Sequence, residues 1–188
     1  MALVLDGSNG ITFPNASTQN TGVANTSAIL SLIGPKGLAT PYLGAGGVVQ
    51  VLQSYKVDSF SSSSNSYVDV PGLSVSITPT SASSKIFVFV TIAAGNSVSN
   101  LGFNLLRNGT NIAQSISGTG NETLQADYTA SYKIITYPIM FLDSPATTSA
   151  LTYKIQMNAY NATSYINVRT NDNYYGSTSG ITVMEIAA

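Results

Sequence analysis

The chain has 188 residues, only 8% of them charged, and a net charge of −1. Average soluble proteins carry about 25% charged residues, so here Ser, Thr, Asn and Gly hold surface positions that Lys and Glu usually fill. The seven basic residues are spread singly and there is no His or Cys, which excludes a phosphate-binding stripe, thiolate chemistry and His-based triads.

The length suits one domain with an appendage, and 44% hydrophobic residues are enough for a core. A near-neutral, charge-poor surface either lies partly inside an assembly or is hydrated by hydroxyl and amide groups. No apolar run approaches the roughly 20 residues of a membrane helix, and the N-terminus lacks a signal-peptide pattern. The expectation is a protein made in a cytoplasm, with no membrane insertion, no nucleic-acid partner and no cofactor or metal.

The first residues, Leu3-Val-Leu-Asp-Gly-Ser-Asn-Gly-Ile-Thr-Phe-Pro14, read as a strand, a Gly/Asn turn and a shorter strand. Leu3, Leu5, Ile11, Phe13 and Pro14 are too few apolar residues to bury one another in a single copy. Residues 22–47 hold a brief helical stretch, Ala28–Ile33, and a Gly/Pro-rich linker from Gly34 to Gly47.

From residue 48 the period-2 pattern of strands takes over. Val49 and Val51 lead to Tyr55 and Val57, and Leu73, Val75 and Ile77 alternate with polar residues. Ile86-Phe-Val-Phe-Val-Thr-Ile92 is a continuous β-branched and aromatic run, the pattern of a strand covered on both faces. Leu101, Phe103 and Leu105 alternate up to Asn108-Gly109, a pair that tolerates positive φ and favours a tight hairpin leading to Ile112.

Pro138 sits between apolar runs and cannot donate a ladder hydrogen bond, so it marks a sheet edge or a bulge. Leu151, Tyr153, Ile155, Met157 and Ala159 alternate cleanly, Tyr165, Ile166 and Val168 follow, and Ile181–Ile186 closes the series. These short strands with Ser/Thr/Asn/Gly turns predict an all-β fold. It is an antiparallel β-sandwich, jelly-roll-like, over 48–188, preceded by an extended segment over 1–47.

Chemical motifs are sparse. Ser83 or Ser84 beside Lys85 reads as a polar turn, and Asp58, Asp69, Asp127, Asp143 and Glu185 are the acids to consider for glycosidase chemistry, without a recognisable motif. Gly34-Pro-Lys-Gly37 lacks the spacing of a phosphate loop, and Asn171-Asp-Asn173 has too few acids for a calcium loop. Asn-X-Ser/Thr sites in a chain this rich in Asn, Ser and Thr arise by chance. Residues 160–175 combine aromatic faces with amide and carboxylate groups, as a sugar site requires. The candidate glycan contacts are Tyr160, Tyr165, Asn171, Asp172, Tyr174 and Tyr175, with Asn161 and Asn167 as further amides. Ordinary strand and loop Tyr residues account for the same stretch.

Gly10-Ile-Thr-Phe-Pro-Asn-Ala-Ser-Thr-Gln-Asn-Thr21 resembles a segment that recurs in tail fibres and other virion surface proteins of tailed bacteriophages, G-[IV]-T-F-P-[DN]-x-[ST]-x-Q-x-[TS]. The stretch Val68–Val88, Leu106-Arg-Asn-Gly-Thr110, Phe141-Leu-Asp-Ser-Pro145 and the ending Ile181–Ala187 resemble a β-rich domain of phage structural proteins. This resemblance implies a non-enzymatic homotrimer on the virion surface, made in the host bacterial cytoplasm. It implies attachment to another virion protein through residues 1–47, with Leu3, Leu5, Ile11, Phe13 and Pro14 as attachment or trimerisation contacts. Long fibres run to several hundred residues. The shorter chain suits a short fibre tip with a host-adhesion role, binding a host surface glycan, with a head fibre or a capsid decoration protein as the alternative. A stand-alone carbohydrate-binding module is a third reading.

Overall fold

The computed structural model describes residues 4–6, 10–12, 18–19, 45–96, 98–116, 122–126, 132–170 and 174–188. The chain divides into two units, Met1–Gly44 and Ala45–Ala188. In the first, β1 (Val4–Asp6), β2 (Gly10–Thr12) and β3 (Thr18–Gln19) form a three-stranded antiparallel sheet. Asp6 pairs with Gly10 and Leu5 with Ile11, which is the strand–turn–strand reading of the opening residues. Leu3, Phe13, Pro14, the Ala28–Ile33 stretch and the Gly/Pro-rich run up to Gly44 lie outside the described residues.

The second unit is built from β4 (Val48–Lys56), β5 (Phe60–Ser62), β6 (Val68–Ile77), β7 (Lys85–Gly95), β8 (Leu101–Arg107) and β9 (Thr110–Asn111), then β10 (Leu124–Ala126), β11 (Ile135–Asp143), β12 (Leu151–Ala159), β13 (Ser164–Ile166) and β14 (Ser179–Ile186). One sheet runs β4-β14-β7-β11, because Thr91 of β7 pairs with Gly180 of β14 on one side and Pro138 of β11 on the other. The short pair β13-β5 continues beyond β14 along the end of β7. The second sheet runs β6-β12-β8-β10, with β9 folded back on β8.

Successive main strands alternate between the two sheets except at β8–β10, which stay together. Numbered by their order along the chain, the eight main strands lie 1-8-3-6 and 2-7-4-5, which is the double Greek key of a jelly roll. The expected all-β sandwich is therefore the observed fold.

Each inward row comes from residues that the sequence pattern places two apart. Val88 and Val90 of β7 are opposed by Val183 and Ile181 of β14, all fully buried. Phe103, Leu105, Tyr153, Ile155 and Met157 supply the facing layer, and Phe103 meets Tyr137 with ring centroids 6.0 Å apart. Asn108 (φ 50°) and Gly109 (φ 88°) make the expected tight turn between β8 and β9. Pro138 lies within β11, which among the described residues pairs only with β7, so it occupies an edge position where its missing N–H costs no ladder bond. At the opposite margin, β4 meets β6. Ser54 Oγ donates to the Gly72 carbonyl at 2.8 Å, and the buried Lys56 reaches Asp58 at 2.9 Å.

One expectation needs correction. The run from Ile86 to Ile92 is not covered on both faces: Ile86, Val88, Val90 and Ile92 are buried, but Phe87 is half-buried and Phe89 is 37% exposed. β4 departs further, with Val51 52% and Tyr55 59% exposed. Alternation governs β7, and its second apolar row faces outward.

Candidate functional site

The two ends of the sandwich differ in chemistry. At one end the chain comes in: Gly46 N–H donates to the Ala187 carbonyl and Ala187 N–H to the Gly47 carbonyl, at 2.7 and 2.8 Å. Two of the acids weighed for catalysis lie at this end. Asp143 and Glu185 both oppose Ile86 and so point inward on either side of it. Each is fully engaged. Asp143 accepts from Arg107 Nη1 on both oxygens at 2.7 Å and from the buried Tyr153 hydroxyl at 2.6 Å, which ties β11 to the opposite sheet. Burial, then the Asp143 carboxylate, push the Tyr153 hydroxyl above its ordinary range.

Glu185 accepts from Gln50 Nε2 at 2.6 Å and from the Thr80 N–H and hydroxyl at 2.7 Å. Burial alone would raise its pKa, but hydrogen bonds from Thr80, Gln50 and Ser84 outweigh burial and hold it below 4.5. Both carboxylates are consumed in locking turns to strands. Asp127 lies outside the described residues. Among the described residues no group of three or more acids, His or Cys is placed to hold a metal ion.

The far end is some nine residues of β4 away, about 30 Å of extended chain. Here β13 is followed by a narrow loop. Val168 bridges to Gly176, Arg169 N–H donates to the Tyr175 carbonyl at 3.1 Å, and Ser177 N–H donates to the Asn167 carbonyl at 2.7 Å. Asn167 pins the loop from inside. It is buried at φ 65°, donates to the Lys56 and Asp58 carbonyls, and accepts from Ser179 Oγ at 2.6 Å. It is therefore a structural clamp and not a ligand contact.

The loop presents Tyr174 and Tyr175, 75% and 59% exposed, edge to face with centroids 5.0 Å apart. The Arg169 guanidinium lies 4.5 Å from the Tyr175 ring, 5.6 Å from Tyr174 and 5.4 Å from Tyr132. A cation near several ring faces is attracted to each, which gathers the rings into one aromatic surface. Tyr132 N–H donates to Thr170 Oγ1, which brings a second chain segment to the cluster.

Of the candidate glycan contacts, Tyr174 and Tyr175 stand together on the surface. Tyr165 is half-buried in β13, opposite Gly95 and Ser61. The Tyr160 hydroxyl donates to Glu122 Oε1 at 2.7 Å, and this bond chiefly lowers the Glu122 pKa and raises that of Tyr160. Tyr67 sits beside the same carboxylate, with its hydroxyl shielded against Gly102. Asn161 is tied to Asn65, while Asn171 and Asp172 lie outside the described residues. Sequence reasoning missed Tyr132, which lies 37 residues before Arg169 and shares no motif with it.

No family model matches the chain, and no curated protein matches it in sequence. Solved structures similar to it include infectious bursal disease virus, Gx strain, at 16% identity and TM-score 0.44 over 73% of this chain and 32% of that one. The VP2 subviral particle of the same virus is similar at 14% identity and TM-score 0.42 over 73% of this chain and 33% of that one. The chain spans about a third of the length of these chains.

The outer faces of the two sheets also differ. Outside β6-β12-β8 the register aligns Ser74 with Lys154 and Asp69 with Gln156, and Asp69 accepts from Lys154 and Gln156 at 2.7 Å. Outside β4-β14-β7-β11 the register aligns Val51, Met184, Phe87 and Leu142 in one row, and Gln53, Thr182, Phe89 and Met140 in the next. A third row holds Tyr55, Gly180, Thr91 and Pro138. An open groove of about 470 Å³ borders this face, between β11 and the residues around β9 and β10, lined by Ile112, Leu124, Pro138, Met140 and Phe141.

Proposed function

We propose that this chain is a non-enzymatic virion structural protein: a homotrimeric tail-fibre or host-adhesion component of a tailed bacteriophage, anchored through residues 1–47. The observation that carries the reading is the polarity of the sandwich. Gly46 and Gly47, where the sandwich begins, lie at one end, and the Tyr174–Tyr175–Arg169–Tyr132 surface stands at the other. An anchored display protein requires that order, with a base that attaches and a distal tip that meets a host glycan. The resemblance of Gly10–Thr21 to fibre segments supports the same arrangement. So does the engagement of Asp143 and Glu185 in internal bonds, which leaves them no part in hydrolysis.

In this reading the N-terminal sheet attaches to a neighbouring virion protein, and three tips act together on one host surface. Multivalency then multiplies a weak contact at each tip. Labelling the protein on intact particles tests the location: label at the tail is expected, and label on the head replaces the fibre role with capsid decoration. Deleting residues 1–21 is expected to leave a folded sandwich that fails to join the particle. Normal incorporation of the truncated protein refutes the anchoring role. A monomeric mass at micromolar concentration together with measurable glycan affinity replaces the whole reading with a stand-alone carbohydrate-binding module.

A further inference from the structure

We infer that the outer face of the β4-β14-β7-β11 sheet is the surface through which copies of this chain pack against one another, side by side about the assembly axis. The inference rests on the trimeric reading above and supplies its contact surface. The argument begins with register. Val88, Val90, Val183 and Ile181 are fully buried, so their neighbours in β7 and β14 project outward, and pairing brings the outward residues of four strands into rows. Val51, Leu142 and Met140 are 52%, 50% and 67% exposed. Scattered singly such side chains are ordinary, but here one wholly apolar row, Val51, Met184, Phe87 and Leu142, is continued by Phe89 and Met140 in the next, a patch of the kind that serves as an interaction site.

Three observations select another copy as the occupant. First, the three rows contain no ionisable group except the Tyr55 phenol, and Lys85, one row further at the exposed start of β7, stays at the margin, so two such faces meet over these rows without burying charge. A charged partner gains nothing there. Second, the opposite outer face is polar and internally bonded through Lys154, Asp69 and Gln156. Of the two outer sheet faces, the apolar rows lie on this one. Third, the area fits copies that are already tethered. Four strands spaced about 4.8 Å and three rows about 7 Å apart give a footprint of roughly 400 Å². A free-standing complex needs about 800 Å² from each partner. The face is too small to hold two independent chains, yet large enough for chains whose N-terminal segments hold them at an effective millimolar concentration.

The test uses the full chain, which has no native cysteine. Met140→Cys places a single thiol on the apolar face, and Ser74→Cys places one on the polar face. With a short bismaleimide at micromolar protein, Met140→Cys is expected to give covalent dimers at least tenfold faster than Ser74→Cys. Sedimentation velocity of Met140→Glu is expected to show association weakened tenfold or more, with unchanged circular dichroism; the side chain is two-thirds exposed, so the fold accepts the change. A trimer that resists Met140→Glu and crosslinks through Ser74→Cys as fast as through Met140→Cys overturns the face assignment and leaves the trimer standing. A wild-type chain that sediments as a monomer at every concentration overturns both.

Discussion

Replacing Asp143 with Ala is the sharpest probe of how the sandwich is held at the end where Gly46 and Gly47 pair with Ala187. The carboxylate is almost wholly buried and joins three strands from both sheets: β11 carries it, β8 carries Arg107, and β12 carries Tyr153. Truncation leaves two orphans. The Tyr153 hydroxyl has no exposure and no other acceptor in this network, and an unsatisfied buried hydroxyl costs about 1–3 kcal/mol. Arg107 loses its counter-charge, but its side chain is 29% exposed and water recovers part of its solvation. The penalty therefore falls at the low end of the roughly 3–5 kcal/mol for breaking a buried pair, near ~3 kcal/mol. Tyr153→Phe removes only one bond and is expected to cost about 1–2 kcal/mol, with a coupling energy of ~1 kcal/mol or more between the two sites. Urea unfolding at fixed protein concentration reads all three variants, and an unchanged m-value shows that stability alone has moved. A loss under about 1 kcal/mol for Asp143→Ala, or additive effects in the double variant, refutes the claim that this network staples the sheets.

Acid should loosen the fold. The Glu122 and Glu185 pKa values lie below their ordinary 4.5, so their stabilisation is complete above that pH and is lost as pH falls through their lower folded values. Thermal melts from pH 6 to pH 3 are expected to show the drop, reduced in Glu185→Gln; a flat profile contradicts it. Gly102→Ala sets a Cβ 2.5 Å from the Tyr67 hydroxyl and 2.7 Å from Asn158 Oδ1, and should cost about 1–3 kcal/mol in urea unfolding. Tyr67→Phe in the same chain should restore part of that, and no rescue means that the Asn158 contact dominates. Tyr175→Ala and Arg169→Ala, read by calorimetry on a host-glycan panel, should each weaken binding by about 2- to 10-fold, since one aromatic contact is worth about 0.5–1.5 kcal/mol. Equal affinity in both variants removes the glycan from this surface.

The strands were legible because period 2 and turn chemistry act locally. Leu151 to Ala159 shows its buried side in its own alternation, Asn108-Gly109 announces its hairpin, and Pro138 declares an edge. The jelly-roll order was legible only as a class, since strand pairing such as β7 with β14 joins residues about ninety positions apart and leaves no local trace. The aromatic tip was half legible for the same reason. Tyr174 and Tyr175 are adjacent in sequence, whereas Tyr132 reaches Arg169 only through the fold. Asn167 shows the reverse failure. An amide placed among tyrosines looks like a ligand contact until its burial and its bonds to Lys56, Asp58 and Ser179 show it holding the loop.

The run Ile86–Ile92 carries the most information of all, because the sequence and the isolated fold disagree about it. A strand written as Ile-Phe-Val-Phe-Val-Thr-Ile has the composition of one covered on both faces, yet the sandwich covers only Ile86, Val88, Val90 and Ile92. Strands exposed to water on one side normally alternate with polar residues, as β12 does through Thr152, Lys154 and Gln156. Edge protection by charge is also absent where this face ends: the outward row on β4 is Val51, Gln53 and Tyr55. A single mismatched strand could reflect chance. Here the adjoining strands repeat the mismatch in register, with Met184 on β14, Leu142 and Met140 on β11 and Val51 on β4. Composition that anticipates burial, found in register on four strands of one sheet, is what the proposed packing of copies through this face requires.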